Sequence, residues 1–260
     1  MPNFNANLSM MFNEVGFLER FGAAAKAGFL GVEFLFPYEF PVARIKEQLD
    51  KHKLQMVLFN MPPGDWEAGD RGLACDPDKV GLFQENVGKA VYYAKALGCG
   101  MIHCMAGLKP RGVSEDKMRE TYIANLQFAG KELAKHKMTL LIEAINTRDI
   151  PGFYLNYSRQ AFDIMHYVDV PNLKFQYDIY HMQIMEGDLA PTIEKNLAKI
   201  GHMQLAGTPG RHEPSTGEIN YPFLFGFIDR IGYKGWIGCE YRPAAKTEDG
   251  LGWLRPYLKS

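Results

Sequence analysis

Short apolar runs alternate with longer segments of helical periodicity along the whole chain. Between residues 17 and 28, for example, Phe17, Phe21, Ala24 and Gly28 are spaced so that they share one face of a helix. The apolar runs themselves are nearly continuous, which is typical of strands in a parallel sheet that is covered on both faces. The pattern predicts eight strands, at 4–8, 31–36, 54–60, 100–105, 138–143, 174–178, 201–205 and 235–240.

Eight strands in 260 residues correspond to about 32 residues per repeat, close to the length of a strand–helix–strand unit. This arrangement favours an α/β protein with a single (β/α)8 TIM-barrel domain over residues 1–260. The main rival is an open, doubly wound sheet. It lacks support, because the segment after the first strand reads ANLSMMF and contains no GxGxxG motif. Similar helical spacing predicts helices over 83–97 and 251–258.

Two connections are unusually long, at about 61–79 and 144–157. Both follow predicted strands, so in a barrel both lie on the face formed by the carboxyl ends of the strands. Long loops in a compact domain are usually functional, and we expect these two to act as lids.

Charge and cysteine content narrow the function classes. The net charge of −1 and the pI near 6.7 argue against a protein that wraps nucleic acid with a basic surface. No apolar run approaches the roughly 20 residues that span a bilayer, and the first residues do not resemble a signal peptide. The four cysteines form no CxxC pair, so we expect reduced thiols in a cytoplasmic protein.

The polar residues at the ends of the last four strands are the most informative feature. The predicted strands from the fifth to the eighth end on Glu143, Asp178, Gln204 and Glu240 in turn. Catalytic groups of TIM barrels converge at these strand ends. Three carboxylates and one amide oxygen form a hard ligand set, which predicts a site for a divalent metal, Mg²⁺ or Mn²⁺.

Further polar groups are expected on the same face and are candidates for binding a substrate. Asn7 follows the first strand, His103 lies in the fourth and His181 comes three residues after Asp178. Arg211 lies in a Gly/Pro-rich loop, where its planar guanidinium is suited to clamp a substrate carboxylate.

These residues and several longer motifs resemble the hydroxypyruvate isomerase family, which includes 2-oxo-tetronate isomerases and belongs to the xylose isomerase-like superfamily. The resemblance covers essentially the whole chain. The matching segments are ANLSMMF (6–12), VEFLFPY (32–38), RHEP (211–214), GEINYP (217–222), GWIGCEY (235–241) and GLGW (250–253).

The resemblance implies a metal-dependent isomerase of carbohydrate metabolism. It implies that Glu143 and Glu240 act as the acid/base pair, that both bind the metal with Asp178 and Gln204, and that His181 and Arg211 contact the substrate. Gln204 stands where ketose epimerases and the related abasic-site endonucleases usually carry His, which moves the site away from zinc.

The expected reaction interconverts hydroxypyruvate and tartronate semialdehyde through an enediolate. Alternatives on the same barrel are a 2-oxo-tetronate isomerase and a ketose 3-epimerase, followed by an abasic-site endonuclease and a non-catalytic sugar-acid binding protein. We therefore expect a small hydroxy-oxo acid as partner, with neither nucleic acid nor membrane. The pattern leaves open a homo-oligomer, the substrate among these acids and the metal that is bound.

Overall fold

All eight predicted strands form, and they close into one parallel barrel in which each strand pairs with its neighbours in chain order. The computed structural model describes residues 2–258. Within this range the barrel strands are β1 (Asn3–Asn7), β2 (Gly31–Phe34), β3 (Gln55–Asn60), β4 (Met101–His103), β5 (Thr139–Glu143), β6 (Leu173–Asp178), β7 (Ile200–Leu205) and β8 (Trp236–Cys239). The prediction of a TIM barrel is confirmed.

Helices follow the strands and cover the outside of the barrel. The α-helices are α1 (Phe17–Lys26), α2 (Val42–His52), α3 (Val80–Leu97), α4 (Glu115–Ala134), α5 (Ser158–Val168), α6 (Ile179–Met185), α7 (Leu189–Asn196), α8 (Tyr221–Arg230) and α9 (Thr247–Gly250). Short 3-10 turns lie at Pro77–Lys79, Leu197–Lys199, Leu251–Trp253 and Arg255–Tyr257. No helix within residues 2–258 is long and apolar enough to cross a bilayer.

The main apolar core lies between the barrel wall and the helices. In α1, Phe21 and Ala24 are buried against the barrel, while Glu19 and Lys26 face solvent. This is the one-sided burial that the helical spacing predicts. The helix predicted over 83–97 is confirmed as α3, and it ends at Gly98 with a φ of +67°, a left-handed conformation that glycine adopts without strain.

The helix predicted over 251–258 is wrong. This segment forms two separate 3-10 turns instead of one α-helix. Gly250 and Gly252 have low helix propensity, and Pro256 lacks the N–H that an interior helical position donates. The leucine spacing of the segment nevertheless reports burial, because Leu254 packs into the core.

The inside of the barrel carries a polar network around the buried Glu33 carboxylate. Four side-chain N–H groups donate to it, from Asn5 at 2.8 Å, Asn7 at 3.0 Å, His202 at 2.7 Å and Gln204 at 2.7 Å. Burial alone would raise the pKa of Glu33, but His202 and these hydrogen bonds hold it below its ordinary value. A buried charge is tolerated when it is paired and fully hydrogen-bonded in this way.

Gly238 of β8 makes room for this carboxylate, and we expect Gly238→Ala to destabilise the protein by about 1–3 kcal/mol. A Cβ at position 238 would overlap the Glu33 carboxylate. Gly88→Ala is the control, because it lies on the exposed face of α3 with open space around it. It should stabilise the protein by about 0.5–1 kcal/mol. Urea unfolding of both variants measures the difference, and equal stability of Gly238→Ala and the wild type would contradict this role.

Candidate metal centre and active site

Three carboxylates and one imidazole converge at the carboxyl end of the barrel. Glu143 ends β5, Asp178 ends β6, Glu240 follows β8 directly, and His181 lies in the first turn of α6. Each offers one ligand atom, and these four atoms lie within 4.8 Å of one another. All four residues are buried. Three of the four predicted metal ligands therefore lie close together, and the ring of His181 lies beside them.

The electrostatics of this acidic cluster are unfavourable without a cation. Burial, together with Glu240 and Asp178, raises the pKa of Glu143 well above its ordinary range. Burial also raises the pKa of Asp178, and it raises that of Glu240 to about 8 despite the neighbouring Arg211. Burial and the neighbouring carboxylates both raise these pKa values, because low polarity and like charges each disfavour the ionised form of a carboxyl group.

Two oxygens of this cluster are available to a ligand. Glu143 Oε1 and Asp178 Oδ2 are buried and have no hydrogen-bond partner among the described residues. The other oxygen of Asp178 accepts from the main-chain N–H of Tyr180 at 2.8 Å, which caps α6 and fixes the carboxylate. Buried polar atoms are rarely left unpartnered in proteins, and hard carboxylate oxygens suit Mg²⁺ or Mn²⁺. The donor set fits a divalent cation.

Arg211 supplies the positive charge that the described structure places beside these carboxylates. Its Nη2 pairs with Glu240 Oε2 and lies 3.6 Å from Asp178 Oδ2, while Nη1 donates to Asp149 at 3.0 Å. Its Nε donates to the main-chain oxygen of Glu240 at 3.3 Å. Arg211 thus lies in the site, as predicted from the sequence, but its charge is already matched by protein carboxylates.

His181 is held in one orientation by Asn146. The Oδ1 of Asn146 accepts from two main-chain N–H groups, so its Nδ2 is the atom that donates to His181 Nδ1, at 2.6 Å. Nε2 therefore carries the proton of the neutral ring. It points towards the cluster, 3.5 Å from Asp178 Oδ2 and 3.8 Å from Glu143 Oε1. Burial lowers the pKa of His181, so this ring acts as a neutral hydrogen-bond donor.

His103 presents the opposite tautomer to the site. Its Nδ1 donates to Asn60 Oδ1 at 3.1 Å, which leaves Nε2 as an acceptor 3.7 Å from Glu143 Oε2. This Nε2 has no hydrogen-bond partner among residues 2–258. Burial lowers the pKa of His103 to about 3, so it remains neutral and can accept a hydrogen bond from a substrate hydroxyl.

Asn7 and Gln204 lie beneath the acidic cluster. Asn7 Nδ2 bridges Glu33 and Glu240, at 3.0 and 3.2 Å. Gln204 donates to Glu33, and its Oε1 accepts from Gln176 at 2.6 Å. An amide oxygen has two lone pairs, so Gln204 keeps one for a further partner. Substrate contact by Asn7 and metal ligation by Gln204 stay predictions.

A cavity of about 610 Å³ opens above the cluster, within the size range of small-ligand sites. Besides Glu143, Glu240 and both histidines, it is lined by Trp66 and Arg71 of the long β3–α3 connection. The sequence predicts this connection at the barrel mouth, but Arg71 is not among the predicted site residues. No local pattern marks that residue, because the path of the loop is set by tertiary contacts.

Comparison with known proteins agrees with this fold. A family model described as xylose isomerase-like TIM barrel matches residues 21–257. The chain belongs to this family.

Full-length relatives narrow the comparison further. The chain is 53% identical to a 2-oxo-tetronate isomerase of Cupriavidus necator, over 99% of both chains. It is 49% identical to a hydroxypyruvate isomerase of Escherichia coli, over 99% of this chain and all of the relative. A solved structure titled AP endonuclease, family 2, from Brucella melitensis is 49% identical and superposes over both full chains with a TM-score of 0.98.

The raised pKa values predict how stability depends on pH. Above about pH 7, His103 and His181 are largely neutral in the folded and the unfolded chain alike, so the carboxyl groups with raised pKa values decide the proton balance. Between this pH and about pH 8, the folded metal-free protein holds protons on these carboxyl groups that the unfolded chain has lost. Its melting temperature should therefore fall as the pH rises from 7 to 8. A divalent cation competes with those protons, so saturating Mn²⁺ should raise the melting temperature more at pH 8 than at pH 5.

Differential scanning calorimetry with and without Mn²⁺ checks this expectation. Glu33 does not interfere, because its pKa is lowered and it titrates below this window. A Mn²⁺ effect that is independent of pH would contradict binding at the acidic cluster.

Proposed function

We propose that this protein is a metal-dependent isomerase of small hydroxy-oxo acids that interconverts hydroxypyruvate and tartronate semialdehyde. The observation that carries the proposal is the buried acidic cluster with two open carboxylate oxygens on the floor of a small cavity. The names of the full-length relatives support the same chemistry.

Glu143, Asp178 and Glu240 would hold the cation, with the amide oxygen of Gln204 as the fourth protein ligand. When bound, a divalent cation polarises the two reacting oxygens and stabilises the negative charge of an enediolate. The hydrogen bonds from Gln204 to Glu33 and from Asn7 to Glu240 fix two of these ligands from below. Such outer contacts orient metal ligands and tune their strength.

Glu143 and Glu240 act as the acid/base pair. One carboxylate takes the proton from the hydroxyl-bearing carbon, and the same or the opposite one returns a proton to the neighbouring carbon. The proton of the hydroxyl oxygen moves to the former carbonyl oxygen, so the carbonyl and hydroxyl groups exchange places with no net loss or gain of protons. Nε2–H of His181 donates to a substrate oxygen and Nε2 of His103 accepts from a hydroxyl, so the two histidines recognise different groups.

Four-carbon 2-oxo-tetronate is the alternative substrate within this chemistry, supported by the name of the Cupriavidus relative. The two acids differ by one hydroxymethyl group, so the shape of the cavity decides between them. A ketose 3-epimerase would use the same proton transfer on a neutral sugar. Rates on hydroxypyruvate, 2-oxo-tetronate and ketohexoses, measured with Mg²⁺ and Mn²⁺, rank these substrates.

A nuclease acting at abasic sites is the second candidate, because the Brucella structure carries that title. A duplex would have to meet a surface whose chain has a net charge of −1, whereas phosphate binding depends on positive charge. The catalytic groups also lie buried under a small cavity. We therefore favour a small acid over nucleic acid as the partner.

The four free, buried cysteines support a reducing compartment such as the cytoplasm.

We expect Glu143→Gln and Glu240→Gln each to lower the rate of isomerisation by roughly 10²–10⁴-fold, because each removes one member of the acid/base pair. The assay follows hydroxypyruvate in D₂O with Mg²⁺ by NMR, which reports both exchange at the reacting carbon and product. Glu85→Gln, an exposed change on α3, is the matched control and should retain full activity.

Three outcomes would redirect the proposal. Wild-type protein that neither exchanges nor converts any hydroxy-oxo acid would refute it. Metal-dependent cleavage of an abasic duplex would support the nuclease. Tight acid binding that survives both glutamate changes, without turnover in the wild type, would support a binding protein.

A further inference from the structure

Three arginines line the cavity, and they differ in whether their guanidinium groups already pair with protein carboxylates. These are Arg71 of the β3–α3 connection, Arg211 of the β7–α8 loop, and Arg242 after β8. A hydroxy-oxo acid carries a carboxylate that a cation in this cavity should bind. On the proposed function, one of these three arginines performs this task.

Arg211 has its donors directed at protein groups. Its two terminal nitrogens face Glu240, Asp178 and Asp149, and its Nε donates to a main-chain oxygen. A substrate carboxylate at Arg211 would compete with three protein carboxylates and would be repelled by them. The acid end of the substrate is therefore better placed away from the acidic cluster.

The guanidinium group of Arg71 is fixed on one side by hydrogen bonds, and the nitrogens on its other side are available to a ligand. Nη1 donates to the main-chain oxygens of Trp66 at 3.0 Å and Asp70 at 2.7 Å, and the group lies over the Trp66 ring at 3.8 Å. Its Nε and Nη2 have no acceptor among residues 2–258, and no carboxylate in that range forms an ion pair with it. The adjacent Asp70 pairs with Lys79 instead, at 2.5 Å.

The backbone next to Arg71 is fixed against the barrel. Gly72 has a φ of +105°, and a Cβ there would lie 2.5 Å from the main-chain oxygen of Met105. Gly72 also forms an isolated β-bridge with Ala106, and its N–H donates to Pro63 at 2.9 Å. This close approach of two main chains positions Arg71 before any ligand arrives, which reduces the entropy cost of binding.

The position of Arg71 around the barrel suits a substrate that spans the mouth. In a closed ring of eight strands, the connection after β3 lies across the mouth from β7, next to which Asp178 and Glu240 are placed. An acid whose carboxylate binds Arg71 can place its reacting carbons at the acidic cluster, because Arg71, Glu143 and Glu240 line the same cavity. Arg242, by contrast, is exposed, and its side chain forms no hydrogen bond or ion pair with any residue in the part of the chain that the structure describes.

We propose that Arg71 binds the substrate carboxylate through its free Nε and Nη2 edge and is the residue that selects acids over neutral sugars. Two parallel N–H···O bonds match the geometry of a carboxylate. Arg211 then serves mainly to offset the charge of the acidic cluster.

Calorimetric titration of the Mn²⁺-loaded protein tests this directly, with glycerate as the probe and glycerol as its neutral counterpart. Glycerate has the carboxylate but no carbonyl, so it cannot be isomerised. We expect Arg71→Met to weaken glycerate binding by roughly 10–100-fold and Arg71→Lys to restore part of it. Glycerol binding and Mn²⁺ affinity should be unchanged in both variants. Arg148→Met, an exposed change on the neighbouring long loop, is the control for charge alone.

Unaltered glycerate binding by Arg71→Met would overturn the inference, as would a loss that appears in Arg242→Met instead. So would wild-type protein that does not prefer glycerate to glycerol. Activity separates this inference from the proposed function. If the wild type isomerises hydroxypyruvate and Arg71→Met keeps its KM, the inference fails alone. If glycerate binding requires Arg71 but no hydroxy-oxo acid is isomerised, the proposed function fails alone.

Discussion

Mutual repulsion among three buried carboxylates is the constraint around which this protein is organised. The parallel barrel delivers Glu143, Asp178 and Glu240 to one end of its strands, within reach of a single ion. Their raised pKa values show that burial and proximity both oppose ionisation. The described structure offsets part of this charge with Arg211 and leaves two oxygens open. A site with this imbalance is suited to a divalent cation and to the movement of protons.

A second buried carboxylate one layer below shows how the same barrel satisfies a purely structural charge. Glu33 receives four N–H donors and keeps a lowered pKa, so it has no oxygen to offer a ligand. Asn7 connects the two layers, since its Nδ2 donates to both Glu33 and Glu240. The hydrogen-bond network around Glu33 thus orients the acidic cluster above it. Glu33 is fully hydrogen-bonded and structural, whereas the carboxylates of the cluster keep open oxygens for a ligand.

Strand positions and the convergence of Glu143, Asp178 and Glu240 were predictable because both follow from apolar runs and from the geometry of a barrel. The contacts that each side chain makes were not predictable from the sequence. Whether the Asn7 side chain contacts a substrate or hydrogen-bonds to Glu240 depends on where it points inside the barrel. The hydrophobic periodicity of the sequence does not encode that direction. Arg71 was missed because the contact of Gly72 with Met105, between residues distant in sequence, brings it to the cavity. The helix predicted over 251–258 was wrong because the leucine spacing reflects burial, whereas Gly252 and Pro256 determine the backbone conformation.

We expect the acidic cluster to bind one divalent cation, and crystals soaked in Mn²⁺ reveal whether it does. Anomalous diffraction should show a single strong peak within about 2.5 Å of carboxylate oxygens from Glu143, Asp178 and Glu240, and Asp178→Asn should weaken it. A full-occupancy peak elsewhere, or no peak at this cluster at saturating Mn²⁺, would contradict the account.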